Sequence, residues 1–115
     1  MLIGELSATT GVSHRMLRYY EQQGLITAER GPNGYRHFPD DAARTVAQVK
    51  ALLQVGLTTD VIRTVLPCSS GGEQPKLDLC PEVVRALSKQ IAEVDARIER
   101  LSCSRNALKE YLAPS

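Results

Sequence analysis

Two groups of side chains have the types and spacing to do chemistry. The first lies in the run His14-Arg15-Met16-Leu17-Arg18-Tyr19-Tyr20-Glu21. Residues three and four apart on a helix share a face, so Arg15, Arg18 and Tyr19 would stand together as two guanidinium groups and a phenol. Leu17 and Tyr20 would turn inward, with Met16 beside them. Such a face suits phosphate oxygens and the acceptor edge of guanine; it could equally be a solvated basic surface over core tyrosines. The second group is Cys68, Cys80 and Cys103. Thiols can be oxidised, pair as a disulfide or ligate a soft metal, or they can pack as inert small hydrophobes.

The elements that must position the basic face are legible in the flanking residues. Ile3, Leu6 and Val12 give an apolar stripe to a short first helix. Gly11 marks a sharp turn because glycine takes positive φ at little cost. Ser13 is an N-cap candidate, its hydroxyl able to accept from backbone N–H groups of the next turn, and it stands where the second helix would meet DNA. That helix should run from about 13 to about 23, with Gly24 past its end. Two helices joined by a short Gly-containing turn make a helix-turn-helix. Leu25 and Ile26 then begin an extended run, Pro32-Asn33-Gly34 is hairpin-turn chemistry, and Tyr35 to Phe38 form a return strand with Phe38 and Ile26 inward. Arg30 and Arg36 flank this wing, where they could grip a phosphate backbone.

Beyond the wing, Asp40 is the expected N-cap of a third helix over about 41–55, with Ala42, Val46, Val49, Leu52 and Leu53 at helical spacing and Gly56 past its end. Thr58 or Thr59 caps a fourth, through Val61, Ile62, Val65 and Leu66 to a stop at Pro67. These helices complete a small core, and Arg44 or Lys50 could add a phosphate contact. Pro81 suits the first position of a long helix. From there Val84, Leu87, Ile91, Val94, Ile98, Leu101, Leu108 and Leu112 fall at spacings of three and four, interrupted only by Arg105. This is a coiled-coil seam. A helix over 81–112 spans roughly 48 Å, too long to be covered by the preceding core, so the pattern predicts a homodimer with two-fold symmetry. Two heads so related would read a near-palindrome. The expected architecture is mainly α: a winged helix-turn-helix over 1–67, a cysteine-bracketed loop over 68–80, a dimerisation helix over 81–112 and a tail at 113–115.

Composition excludes more than it proposes. The 115 residues are 43% hydrophobic and 23% charged, with a net charge of +1, so bulk charge alone would not point to DNA. Local clustering does, with Arg15, Arg18, Arg30, Arg36 and Arg44 close in sequence. No apolar run reaches membrane-spanning length and no secretory pattern opens the chain, so a cytoplasmic protein without a membrane partner is expected. Trp is absent and Phe occurs once, a poor set for an aromatic ligand pocket. An enzyme finds little support. There is no C-x-x-C for a thiol oxidoreductase, His14 and His37 have no triad partner, and Gly71-Gly72 lacks the Lys-Ser/Thr context of a phosphate loop. A coiled-coil adaptor with structural cysteines is the remaining alternative.

The segments IGELSATTGVSHRMLRYYEQQGLI and GYRHF resemble the head of the mercury-resistance-regulator (MerR) family of transcription regulators, closely over residues 2–66 and in outline beyond. The resemblance implies DNA contacts from Arg15, Arg18 and Tyr19 in the recognition helix and from Tyr35 and Arg36 in the wing. It also implies an antiparallel pairing of the long helix, and activation by twisting a promoter with an overlong spacer so that RNA polymerase can engage it. Repression is equally compatible with the residues themselves.

The input is the open question. Cys68 and Cys80 bracket the Gly-, Ser- and Pro-containing loop CSSGGEQPKLDLC, expected to be mobile. Cys80 precedes the long helix, whose positive end favours negative sulfur. Cys103 falls off the seam. Three main readings stand: inert cysteines, a Cys68–Cys80 redox pair, or a soft-metal site from Cys68 and Cys80 with or without Cys103; sensing of an electrophile or small molecule is the remaining one. Metal-sensing relatives carry a cysteine where Cys80 stands, but also a ligand loop after the long helix, where only Ala113-Pro114-Ser115 follow here. Three scattered cysteines do not make an iron–sulfur site, and the large C-terminal domain of the family's drug-binding members is not expected here.

Overall fold

The computed structural model describes residues 1–114. Helix α1 (Ile3–Thr10) ends at Gly11, which takes φ +73° and donates its N–H to the Ser7 carbonyl at 2.9 Å. The Ser7 hydroxyl donates to the Val12 carbonyl at 2.7 Å and so closes the turn from the other side. Helix α2 (His14–Gln22) starts under Ser13, whose hydroxyl oxygen accepts from the Met16 N–H at 3.2 Å. Gly24 stands past its end at φ +74°. The helix-turn-helix therefore forms where its local signals place it.

The wing is a short antiparallel hairpin, β1 (Glu29–Arg30) with β2 (Arg36–His37), paired Glu29 to His37 and Arg30 to Arg36. Its return strand is shorter than the expected Tyr35–Phe38, because the Phe38 N–H turns away to the Met1 carbonyl at 2.6 Å. Ile26 and Phe38 are buried as expected.

Helix α3 (Ala42–Gln54) follows. Its N-cap position falls on Asp41, not Asp40, and no carboxylate caps it. The physical reason is the approach of the chain: Asp41 already has helical backbone angles, and the Ala42 N–H closes a turn on the Pro39 carbonyl at 3.0 Å. A capping side chain needs an extended residue at that point. Thr58, which is extended, does cap helix α4 (Thr59–Val65), accepting from the Val61 N–H at 3.3 Å. A 3-10 turn, Leu66–Cys68, carries the chain past Pro67.

The segment between the cysteines is not a loose loop. It folds as a second hairpin, β3 (Ser69–Ser70) against β4 (Lys76–Leu77), lengthened by the Asp78 N–H donating to the Cys68 carbonyl at 2.8 Å. At its tip Gly71 has φ +83°, and an added Cβ would lie 2.9 Å from the Gln74 carbonyl, so glycine is required there. The carbonyl of Gly71 accepts from the side-chain amide of Gln48 at 2.6 Å. Gln48 is a buried polar residue on α3, and this bond offsets the cost of removing its amide from water.

Helix α5 (Pro81–Leu112) has the expected bounds, with Pro81 in its first turn. Its first turns belong to the head. Val83 is completely buried, Leu87 packs at the edge of the core, and the Gln90 amide donates to the Gly56 carbonyl at 3.1 Å. The core thus draws one or two residues from every helix: Leu6, Leu17, Val46, Val49, Ile62, Val65 and Val83 have no accessible surface. Each such burial contributes about 1.5–3 kcal/mol. Beyond Gln90 the helix runs clear of the head, and the molecule measures 75 × 33 × 21 Å.

Candidate nucleic-acid interface and thiol pair

Helix α2 presents two unlike faces. Leu17 and Tyr20 are buried against the core, and burial pushes the Tyr20 phenol above its ordinary pKa. Arg15, Arg18 and Tyr19 are exposed together on the outer side, and neither arginine makes an ion pair among the described residues. Met16 also lies outside, 40% exposed, rather than turning to α1. Ser13 is exposed; its oxygen is committed to the helix cap, which leaves the hydroxyl hydrogen to donate outward.

The wing adds a second basic surface. Arg30 and Arg36 are directly opposed across the hairpin, an arrangement that destabilises a strand pair unless counter-charge is supplied. Part of that counter-charge is internal. The Arg36 guanidinium donates to the Glu21 carboxylate of α2 at 2.8 Å, tying the wing to the recognition helix. Arg30 and Tyr35 are exposed, Tyr35 at 66%, beside a turn in which Gly34 has φ +76° and donates to the Gly31 carbonyl. The Glu21 contact gives Arg36 a positioning role that its place in the sequence did not reveal.

A further positioning residue escaped sequence reasoning altogether. Arg63 of α4 donates from Nε to the Gln23 carbonyl at 2.7 Å and from Nη1 to Asp60 at 2.9 Å. It thereby satisfies a free carbonyl at the end of the recognition helix and couples α4 to α2. No periodicity or motif announces a contact across forty residues. Arg44 and Lys50, the weaker candidates for phosphate, are both exposed on α3.

Cys68 and Cys80 are brought together: their sulfurs lie 3.4 Å apart, with both thiols free and partly buried. Hydrogen bonding to Cys80, partial burial and the nearby carboxylates of Asp78 and Glu82 push the Cys68 thiol above its ordinary pKa. Glu82 is held below its usual range by its own backbone N–H at the start of α5 and by the Cys80 thiol. Cys103 is exposed on the distal part of α5 and does not join the pair. Among the described residues no three or more His, Cys, Asp or Glu side chains are arranged to hold a metal ion. This head, with its four helices, wing and basic outer face, is matched over residues 1–68 by the family described as MerR HTH family regulatory protein.

The chain belongs to the MerR family of helix-turn-helix regulators. Like its family, it is a DNA-binding transcription regulator and not an enzyme. It is 30% identical over 114 residues to an uncharacterized HTH-type transcriptional regulator, PA4778, of Pseudomonas aeruginosa, covering 97% of this chain and 83% of that one. It is 33% identical over 111 residues to heavy metal-dependent transcription regulator 2 of Rhizobium meliloti, covering 95% and 72% respectively. Its fold is similar to that of the transcription regulator PbrR691 from Ralstonia metallidurans CH34, solved in complex with lead(II). The TM-score is 0.77 at 23% identity, over 96% of this chain and 83% of the other. At that identity the likeness concerns the fold alone. Among the described residues, no helix of this MerR-family chain is long and apolar enough to cross a membrane.

Proposed function

We propose that the protein is a homodimeric regulator that grips a near-palindromic promoter site with two copies of its head and takes its input at the Cys68–Cys80 thiols. The observation that carries the dimer is the exposed apolar stripe of distal α5. Ile91, Ile98, Leu101, Leu108 and Leu112 are 55–87% exposed, on a helix with no internal partner for that stretch. The area removed from water by pairing two such stripes favours association, and an antiparallel arrangement would carry the end of each helix toward the partner's head. Val94 sits half-buried between these residues, Val84 is 45% exposed, and Leu87 is shared with the head core; the pairing surface is therefore centred on Ile91–Leu112.

On DNA, Arg15, Arg18 and Tyr19 enter the major groove with Ser13 at the helix start, while Arg30, Tyr35 and Arg36 meet the flanking phosphates. Distortion of a promoter so that RNA polymerase engages it is the family's mode of action that this geometry would serve. The thiol input is supported by the 3.4 Å sulfur separation and by the likeness to the heavy metal-dependent regulator of Rhizobium meliloti. Sedimentation of the full chain, with a mobility-shift titration against its own promoter region at several salt concentrations, tests the proposal. A dimer giving a specific, salt-sensitive complex that Arg18→Ala weakens is the expected result. A monomer, or a complex indifferent to Arg18, would sink it.

A further inference from the structure

We infer that Cys68 and Cys80 are a two-electron dithiol–disulfide switch, closed by a hydroperoxide, whose state is felt by the recognition helix. The inference rests on the DNA-regulator reading above and deepens its input. Two sulfurs 3.4 Å apart need approach by only about 1.4 Å to reach the bonded distance of ~2.05 Å. Both cysteines are held in place by backbone bonds of the intervening hairpin: Cys68 accepts from Asp78 at 2.8 Å, and Cys80 donates to the Asp78 carbonyl at 2.9 Å. Both are partly exposed, so a small oxidant can reach them. Among the described residues no group of three or more His, Cys, Asp or Glu side chains is placed to hold a metal ion.

The chemistry balances without any other reactant. The Cys80 sulfur, in the N-cap position of α5, attacks the terminal oxygen of the hydroperoxide, its thiol proton passing to the departing alkoxide. The O–O bond breaks, the alcohol leaves with a proton, and Cys80 becomes a sulfenic acid. Cys68, with its sulfur 3.4 Å away, is the resolving thiol. Its sulfur attacks the sulfenic sulfur, the S–O bond breaks, and water leaves carrying the thiol proton. Two thiols and one hydroperoxide give one disulfide, one alcohol and one water.

The new bond ties the turn that ends α4 to the first turn of α5. Helix α4 in turn holds the end of α2 through Arg63 and the Gln23 carbonyl. Closing the bond therefore biases how the recognition helix is carried on the dimer arm.

The test uses the full chain, reduced and then treated with tert-butyl hydroperoxide. Expected are a fall from three free thiols to one with loss of two hydrogens by intact mass, and a peptide linking Cys68 to Cys80. A change of about 5-fold or more in promoter affinity should follow, the lower range of typical coupling between sites. Dithiothreitol should reverse it, Cys103→Ser should preserve it, and Cys68→Ser and Cys80→Ser should each abolish it. Three remaining thiols, a crosslink through Cys103, a stoichiometric bound metal that protects both thiols, or equal affinity in the two states would each overturn the switch. Thiol counting needs no DNA, so failure of the DNA-regulator reading would show separately, as the absence of any specific complex.

Discussion

The head and the distal half of α5 are built on opposite principles. In the head, α1 to α4 and the first turns of α5 share one core, so Leu6, Leu17, Ile62 and Val83 are closed off within a single chain. Further along the same helix, Leu101, Leu108 and Leu112 are as apolar and stand 64–87% exposed. Residue type is the same in both regions; what differs is whether the chain itself supplies the second surface. The head therefore closes its own core, whereas the arm leaves its apolar stripe open for the proposed second copy to cover.

The largest expected effect breaks the self-contained side of this contrast. Ile62→Ala should destabilise the head by about 2–5 kcal/mol, the usual cost of a cavity at a fully buried aliphatic site, measured by urea unfolding followed by circular dichroism. Next comes the arm. Ile98→Asp should leave head unfolding nearly unchanged yet shift sedimentation to monomer and weaken promoter binding roughly 100-fold, because two linked heads bind with 10²–10⁴ more avidity than one. If Ile98→Asp instead unfolds the head, the two regions are not independent and the contrast fails. Arg18→Ala should cost about 1–3 kcal/mol of specific affinity with no loss of stability, since Arg18 is exposed and without an ion pair among the described residues.

Much of this arrangement was legible in the sequence wherever the signal was local. Gly11, Ser13, Gly24, Thr58 and Pro81 mark helix ends through backbone chemistry that depends on neighbours within four residues. The long helix was legible because its apolar spacing repeats. What was not legible depends on contacts between distant segments. Nothing near Arg63 points to Gln23, and nothing near Gln48 points to Gly71. The inter-cysteine segment was expected to be mobile from its Gly, Ser and Pro content, yet four residues pair as strands because Gln48 holds their tip. Val83 lies off the heptad for the same reason: its partner surface is the head rather than a second long helix. The Asp40 cap failed because the turn before α3 is set by Pro39, not by the aspartate's own preference.

Smaller effects sharpen the contrast further. Ser13→Ala removes the one side-chain cap of the recognition helix and should lower stability by about 1 kcal/mol, detectable as a shift in the urea midpoint. The smallest effect is a pH dependence at the junction of the two regions. The Glu82 carboxylate is held below its ordinary range, so the folded state binds its proton less readily than the unfolded state. Its contribution is present above the unfolded carboxylate pKa and fades as pH falls through that value toward the lower folded one. A carboxyl titration by NMR should place Glu82 below a typical glutamate, and Glu82→Gln should flatten that part of the acid limb.

The bond from Gln48 to the Gly71 carbonyl gives the short second hairpin a mechanical meaning. A hairpin anchored only at its two ends is slack, and a displacement at its base dissipates in the slack. Pinned at its tip to the middle of α3, it is instead a strut with a fulcrum. A displacement of either cysteine at the base must then be taken up by α4 or by the root of α5. Cutting that pin with Gln48→Ala would leave the thiols at the ends of α4 and α5 while returning slack to the hairpin between them.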